Sequence, residues 1–254
     1  MSKILVIGDS CEDVFTYGHC KRLSPEAPVA VLNPTDVVIN DGMSANVYNN
    51  IRALGAECDL LTNKDKPVKN RYIDKTSNQT LLRVDDFDEI RYIFEDHEIL
   101  DKIHYMDYDA IVISDYNKGY LKEEDISFIS NRHPLVFLDS KKQLGDWCHN
   151  VQVIKINEKE YNTNLKWLTE SFRNDLVVTL GFHGAMWDYM LFPIEEEHPV
   201  RDLTGAGDTF LAALVVEYLK GNNMSDAIKF ANKCAAWAVT QKGVTVIDIY
   251  KIKL

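Results

Sequence analysis

Five short runs of apolar, largely β-branched residues recur along this chain, at residues 4–7, 110–113, 135–138, 151–156 and 176–179. They lack the in-out alternation of a sheet with one wet face. Each run is therefore expected to be buried on both sides, which confines it to a sheet covered by helices above and below. Helix-compatible stretches separate several of the runs: 44–54 ending at Gly55, 122–132, 211–219 stopping at Gly221, and 226–241 ending near Gly243. A glycine just past the last apolar position is a usual helix stop. The alternation implies an α/β fold, a doubly wound and mostly parallel sheet flanked by helices.

Open sheets of this kind bind ligands outside the carboxyl ends of their strands. The residues that follow the runs are Gly8-Asp9, Ser114-Asp115, Asp139-Ser140-Lys141, Asn157 and Thr179-Leu180-Gly181, so these positions are expected to converge on one site. Two segments break the parallel pattern. Residues 14–39 hold extended runs at 29–32 and 36–39, and residues 71–84 read as a hairpin turning through 75–79. They predict a small β-sheet lid, with segments at about 14–40 and 71–84, on a single domain spanning 1–254. An antiparallel extension of the main sheet is the alternative.

The net charge of −11 argues against a nucleic-acid partner, because phosphate backbones are met by basic surface. Any phosphate handled here must find local donors. No apolar stretch reaches the roughly 18 residues of a membrane span. The start of the chain reads as a strand rather than a secretory signal, so a cytoplasmic location is expected. Five scattered cysteines (Cys11, Cys20, Cys58, Cys148, Cys234) form no Cys-x-x-Cys pair and are expected to be ordinary reduced thiols.

Function is most legible in Asp202-Leu203-Thr204-Gly205-Ala206-Gly207-Asp208-Thr209-Phe210. Two glycines open an apolar helix there, and a helix N-terminus favours an anion through its unpaired N–H groups and its dipole. A carboxylate at Asp208 repels a phosphate unless it has a proton to remove, which a hydroxyl substrate supplies. An N-cap role for Asp208 is the alternative.

This string resembles the second signature of the ribokinase-like (PfkB) carbohydrate kinases, and further motifs extend the resemblance over almost the whole chain. It implies that Asp208 is the general base and that Gly205, Ala206 and Gly207 form the anion hole, with Thr204 beside them on the nucleotide. Gly8-Asp9-Ser10-Cys11-Glu12-Asp13 is similar to the family's opening, which gives Asp13 to the sugar hydroxyls. Asp41-Gly42-Met43-Ser44-Ala45-Asn46 resembles the first signature, Gly-Gly-x-x-x-Asn, and implies sugar contacts at Gly42 and Asn46. Here Asp41 replaces the first glycine. Asn157-Glu158-Lys159-Glu160 is similar to Asn-x-x-Glu, which organises magnesium and the triphosphate, so Asn157 and Glu160 are implied as cofactor residues and Glu160 as the metal residue. Thr179, Gly181 and Gly184 correspond to the nucleotide loop.

Tyr17-Gly18, then Arg22-Leu23-Ser24-Pro25-Glu26-Ala27-Pro28-Val29, resembles a string of the heptose-7-phosphate kinases, a subgroup that uses ATP on an anomeric hydroxyl. The segments at 81–85, 114–119 and 139–141 are similar to that subgroup as well. Arg22, Arg83, Lys118 and Lys141 are the candidates to meet a sugar phosphate. The resemblance implies ATP and Mg2+ as cofactors and leaves K+ open, along with a homodimer through the lid. It also leaves open a fructokinase-like or nucleoside kinase and a catalytically silent sensor. No Gly-x-x-x-x-Gly-Lys-Ser/Thr loop and no Gly-x-Gly-x-x-Gly after the first strand are present. The family's segment after Leu60-Leu61 is cut down to Thr62-Asn63-Lys64-Asp65-Lys66-Pro67, which implies a trimmed kinase with a more open site or altered specificity.

Overall fold

The computed structural model describes residues 1–92, 94, 98–168, 175–196 and 199–252. Its main sheet has eight strands. Six are parallel and five of these hold the apolar runs: β1 (Lys3–Gly8), β4 (Glu57–Thr62), β7 (Ala110–Asp115), β8 (Val136–Ser140), β9 (Val153–Asn157) and β10 (Asp175–Thr179). A short antiparallel hairpin, β11 (Ala185–Trp187) and β12 (Met190–Phe192), closes one edge. The spatial order β12-β11-β10-β9-β8-β7-β1-β4 reverses direction at β1, which makes the gap between β1 and β7 a topological switch point.

The strand residues divide between two cores. Ile4, Val6, Val112, Phe137 and Val177 face helices α1 (Ser44–Ala53), α5 (Ala206–Gly221) and α6 (Met224–Ala238). Their neighbours Leu5, Ile7, Ile113, Leu138 and Val178 face the opposite layer, where α3 (Glu123–Ser130) lies with the short helices α2 (Glu98–Asp101) and α4 (Glu158–Asn164). Burial on both faces is the physical reason the runs do not alternate.

The second sheet is β3-β2-β5-β6, built from β2 (Ser10–Leu23), β3 (Ala30–Met43), β5 (Val68–Asp74) and β6 (Gln79–Asp86). β2 begins two residues after β1 and β3 ends directly against α1, so the sheet projects from the carboxyl edge of the main sheet. The run at 36–39 and all but Val29 of the run at 29–32 belong to one 14-residue strand. Its register with β2 shifts at Tyr17/Gly18, where Gly18 faces Pro34. Proline is tolerated in a strand at such an irregularity. The inner face carries Phe15, Tyr17 and Ile73, packed on Val244, while Val37, Ile39 and Leu82 stay exposed.

Asn63 seals the shortened segment at 62–67. Its buried amide accepts from the Ser10 N–H at 2.7 Å and donates to the carbonyls of Ser10 and Asp65 at 3.0 and 2.9 Å.

Candidate active site

Helix α5 starts from Gly205, whose φ of 80° lies in the left-handed region that favours glycine. No side chain caps it. The first-turn N–H groups of a helix have no intrahelical acceptor, so this end of α5 points unsatisfied donors outward. The Ala206 amide turns back to the Leu203 carbonyl at 3.3 Å. Asp202 fastens the preceding loop, accepting from the Thr204 N–H and hydroxyl at 2.9 and 2.7 Å and from the Gly243 N–H at 3.0 Å.

Asp208 follows in the first turn of α5 and is only 4% exposed. Its carboxylate does not cap its own helix. Oδ2 accepts from Asn46 Nδ2 at 3.0 Å and Oδ1 accepts from the Tyr116 hydroxyl at 2.5 Å. Burial pushes its pKa up to about 6, and the two hydrogen bonds only partly offset that. A loose phosphoryl transition state does not require a raised pKa, because the hydroxyl becomes acidic late; the elevation follows from burial.

Lys155 lies beneath the amides at the start of α5. It is 3% exposed and sits in the carboxyl half of β9, on the face that α5 covers. Its ammonium is close enough to Gly207 that a Cβ added there would stand 3.1 Å from Nζ. Asp139 balances it at 2.6 Å. Burial pushes the Asp139 carboxyl up, and the ammoniums of Lys155 and Lys141 outweigh it, so the group stays below the usual carboxylate range. Lys141 continues the chain to Glu160 at 2.6 Å.

Two cavities meet at this point. One, of about 340 Å3, opens under the second sheet and is lined by Asp13, Lys69, Arg71, Arg83, Lys118 and Asp208 among others. The other, of about 430 Å3, opens over the strand ends at Asn157, Thr179 and Gly181 and reaches Lys155 and Gly207. Tyr116 and Lys141 line both.

The expected residues are distributed between them unevenly. Asp13 faces the first cavity and is held by the Arg71 guanidinium. Gly42 is required beside it, since a Cβ there would fall 2.1 Å from Asp13 Oδ2. Asn46 gives its amide to Asp208 and accepts from Asn50 Nδ2 at 2.8 Å, so it serves the carboxylate directly. Arg83 pairs with Asp85, and Lys118 with Asp88. Arg22 stands apart, exposed at the far end of β2 and outside both linings. Thr204 and Gly205 line the first cavity rather than the second. Gly184 has a packing reason, because its φ of 92° brings it against the Phe192 carbonyl. Asp41, in the place of a glycine, is held by Lys66 at 2.8 Å and by Asn49 at 3.3 Å.

Asn157 and Glu160 form a reciprocal cap on α4, Glu160 N–H to Asn157 Oδ1 and Asn157 N–H to Glu160 Oε2, each 2.9 Å. Glu160 Oε1 is held by Lys141. Among the described residues no three His, Cys, Asp or Glu groups converge as a metal cage. Asn157 lines the second cavity and Glu160 does not, so a hydrated magnesium ion arriving on a triphosphate would meet the Glu160 carboxylate only where Lys141 gives up its oxygen.

Four residues here were not singled out from the sequence: Lys69, Arg71, Tyr116 and Lys155. Lys155 left a signal, a charged residue inside a mostly apolar run that otherwise departs only at Gln152. Lys69 and Arg71 occupy alternate positions of β5 opposite Asp13 and Phe15, a pattern visible only once the pairing with β2 is known.

A doubly wound sheet with a projecting second sheet, and an uncapped helix end beside a buried carboxylate, are parts from which a phosphoryl-transfer site can be built. Comparison with known proteins is consistent with this. Residues 66–249 match the model of the pfkB family of carbohydrate kinases, and the chain belongs to that family. The bifunctional protein HldE of Nitratiruptor sp. is 29% identical over 300 aligned positions that cover 99% of this chain. The chain spans 64% of that relative's length. Among solved structures, phosphofructokinase-2 of Escherichia coli, determined with potassium, superposes with a TM-score of 0.74 at 16% identity, covering 97% of this chain and 95% of that one. Ribokinase of Cryptococcus neoformans, determined with ADP, gives 0.67 at 13% identity, covering 96% and 95%. The fold is that of the ribokinases.

Proposed function

We propose that this chain uses ATP to phosphorylate a sugar that already carries a phosphate, with D-glycero-D-manno-heptose 7-phosphate as the acceptor. The observation that carries the second phosphate is Lys69. It is 6% exposed, lines the cavity under the second sheet, and forms no ion pair among the described residues. Its neighbours are the Cys11 thiol, the Tyr116 ring, whose centroid is 5.3 Å away, and the cross-strand residues Asp13 and Asp85, neither within ion-pair distance. A buried ammonium without a carboxylate in direct contact is costly, and an anionic ligand that touches it lowers that cost. Arg83, Lys118 and Lys141 line the same cavity and add charge that their carboxylate partners can release.

In this reading the acceptor lies under the second sheet, which acts as a lid, with hydroxyls on Asp13 and the reacting hydroxyl against Asp208. Asp208 takes the proton as that oxygen attacks the γ-phosphorus in line. The N–H groups at the start of α5 and the Lys155 ammonium stabilise the charge that develops on the transferred group. Magnesium, when bound, would screen the triphosphate, and Asn157 and Glu160 are the residues that would hold its water shell.

The deciding measurement is kcat/KM for heptose 7-phosphate against free heptose, fructose and ribose at two ionic strengths. The phosphorylated acceptor is expected to lead by about 10²-fold, as fits one charge-assisted phosphate site, and the lead should shrink as salt screens it. Equal or better activity on an unphosphorylated sugar moves the chain to a fructokinase-like or nucleoside kinase.

Glu160→Gln is expected to raise the magnesium concentration at half-maximal rate by about threefold to tenfold, because the variant loses the charge that faces the ion's waters. A magnesium titration reads this. An unchanged midpoint leaves Glu160 as a helix cap alone.

A further inference from the structure

Tyr116 touches the proposed base, lines both cavities, and has no part in the proposed phosphoryl transfer. Its hydroxyl donates to Asp208 Oδ1, the carboxylate oxygen that Asn46 leaves free. The phenol is held in the donor state, since burial and then the Asp208 charge push its pKa well above the ordinary value.

The backbone fixes the ring in place. The Tyr116 N–H donates to buried Asp9 at 2.6 Å, and the N–H groups of Lys118 and Tyr120 reach the same carboxylate at 3.5 and 3.3 Å. Asp115 takes the Asn117 N–H at 3.0 Å and is itself held by Lys142 at 2.7 Å. Asn117 and Gly119 have φ of 56° and 105°, so the loop makes a tight turn anchored on two buried acids at the switch point. Its five-residue span, 116–120, ends in a buried tyrosine. Lys69 and Lys141 stand 5.3 and 5.5 Å from the Tyr116 ring centre, Lys69 in the first cavity and Lys141 in the lining of both.

A kinase whose base is open to solvent can activate water as readily as a sugar hydroxyl. Water would attack the γ-phosphorus, its proton would pass to Asp208 Oδ1, and the bond to ADP would break to leave inorganic phosphate. Such hydrolysis has to be suppressed until the acceptor is in place.

We propose that the Tyr116 hydroxyl is the stopper on the base: it occupies Asp208 Oδ1 in the sugar-free enzyme, keeps water from that oxygen, and yields the position only to an acceptor hydroxyl aligned under the second sheet. Tyr116 is thus a positioning and specificity residue that acts through Asp208. The proposal rests on Asp208 being the general base, whatever the identity of the sugar.

The test uses the full chain with ATP and magnesium and no sugar. Tyr116→Phe keeps the ring and removes only the donor. It is expected to raise sugar-independent ADP release about tenfold over wild type at pH 8, a fraction of the 10²–10⁴ that a general base can contribute. Adding Asp208→Asn to Tyr116→Phe must return the rate to the wild-type background, which a loosened loop alone does not predict. Tyr116→Leu, a smaller apolar side chain that removes the ring as well as the hydroxyl, serves as the second variant and should move the same way.

A further readout is the acid limb of the hydrolysis rate. Loss of the phenol hydrogen bond removes an interaction that favours ionised Asp208, so the limb should shift to higher pH in Tyr116→Phe. Wild-type hydrolysis in both single variants overturns the stopper. So does extra hydrolysis that survives Asp208→Asn. Failure of the base reading itself shows separately, as an Asp208→Asn enzyme that still turns over with sugar.

Discussion

Asp208→Asn is expected to lower kcat by about 10²-fold or more while ATP affinity stays within a few-fold, because the change removes a proton acceptor at nearly constant shape. The site can accommodate the amide. Its oxygen can keep the bond from Asn46 Nδ2, and its NH2 can face a Tyr116 hydroxyl rotated to accept. The wild-type pH profile provides a second check. With the Asp208 pKa near 6, kcat/KM should fall as pH drops through about 6 and level off above it.

Stability should move the opposite way. The folded pKa lies above the ordinary value of 3.8, so the folded protein binds the Asp208 proton more tightly than the unfolded chain does. Asp208 ionisation therefore costs stability as pH rises from about 4 through 6. At pH 7.5 the asparagine variant is expected to be more stable, on the order of 2 kcal/mol, and the advantage should vanish below pH 4. A variant that keeps more than half the wild-type rate would reduce Asp208 to a structural carboxylate.

The sheet was readable because its strands are buried on both faces and leave short, mostly apolar runs. What escaped lay where local chemistry gives no mark. The β11–β12 hairpin turns through Asp188-Tyr189 with φ of 50° and 60°, a left-handed pair without the glycine that flags such turns. Helix α4 spans only seven residues, too few for a periodic pattern, and depends on its reciprocal cap. Helix α6 starts two residues before the expected Asp226, because Asn223 rather than Asp226 is its cap.

The site shows the same division. Asp208, Asp13 and Asn46 sit in local motifs and can be found one segment at a time. Tyr116 meets Asp208 across 92 positions of sequence, and Lys69 takes its meaning from a strand pairing. Arg22 belongs to a motif too, yet the 14-residue length of β2 carries it away from the cavity.

Lys155→Met tests whether the ammonium under α5 acts on phosphate or only fills the core. Lys155 and Asp139 side chains are each 4% exposed. Removing one member of a buried pair strands the other charge, a loss of typically 3–5 kcal/mol, and Lys141 at 3.5 Å from Asp139 should hold the loss to about 3 kcal/mol. The double variant Lys155→Met/Asp139→Asn removes the stranded charge as well, so its melting temperature should recover most of the difference. Its activity should not. If the ammonium stabilises the transferring phosphoryl group, kcat stays down by about 10²-fold in the double variant, the scale of one lost donor in a preorganised anion site. Recovery of kcat together with stability would show that Lys155 serves Asp139 alone, and would leave the amides of α5 as the whole of the anion site.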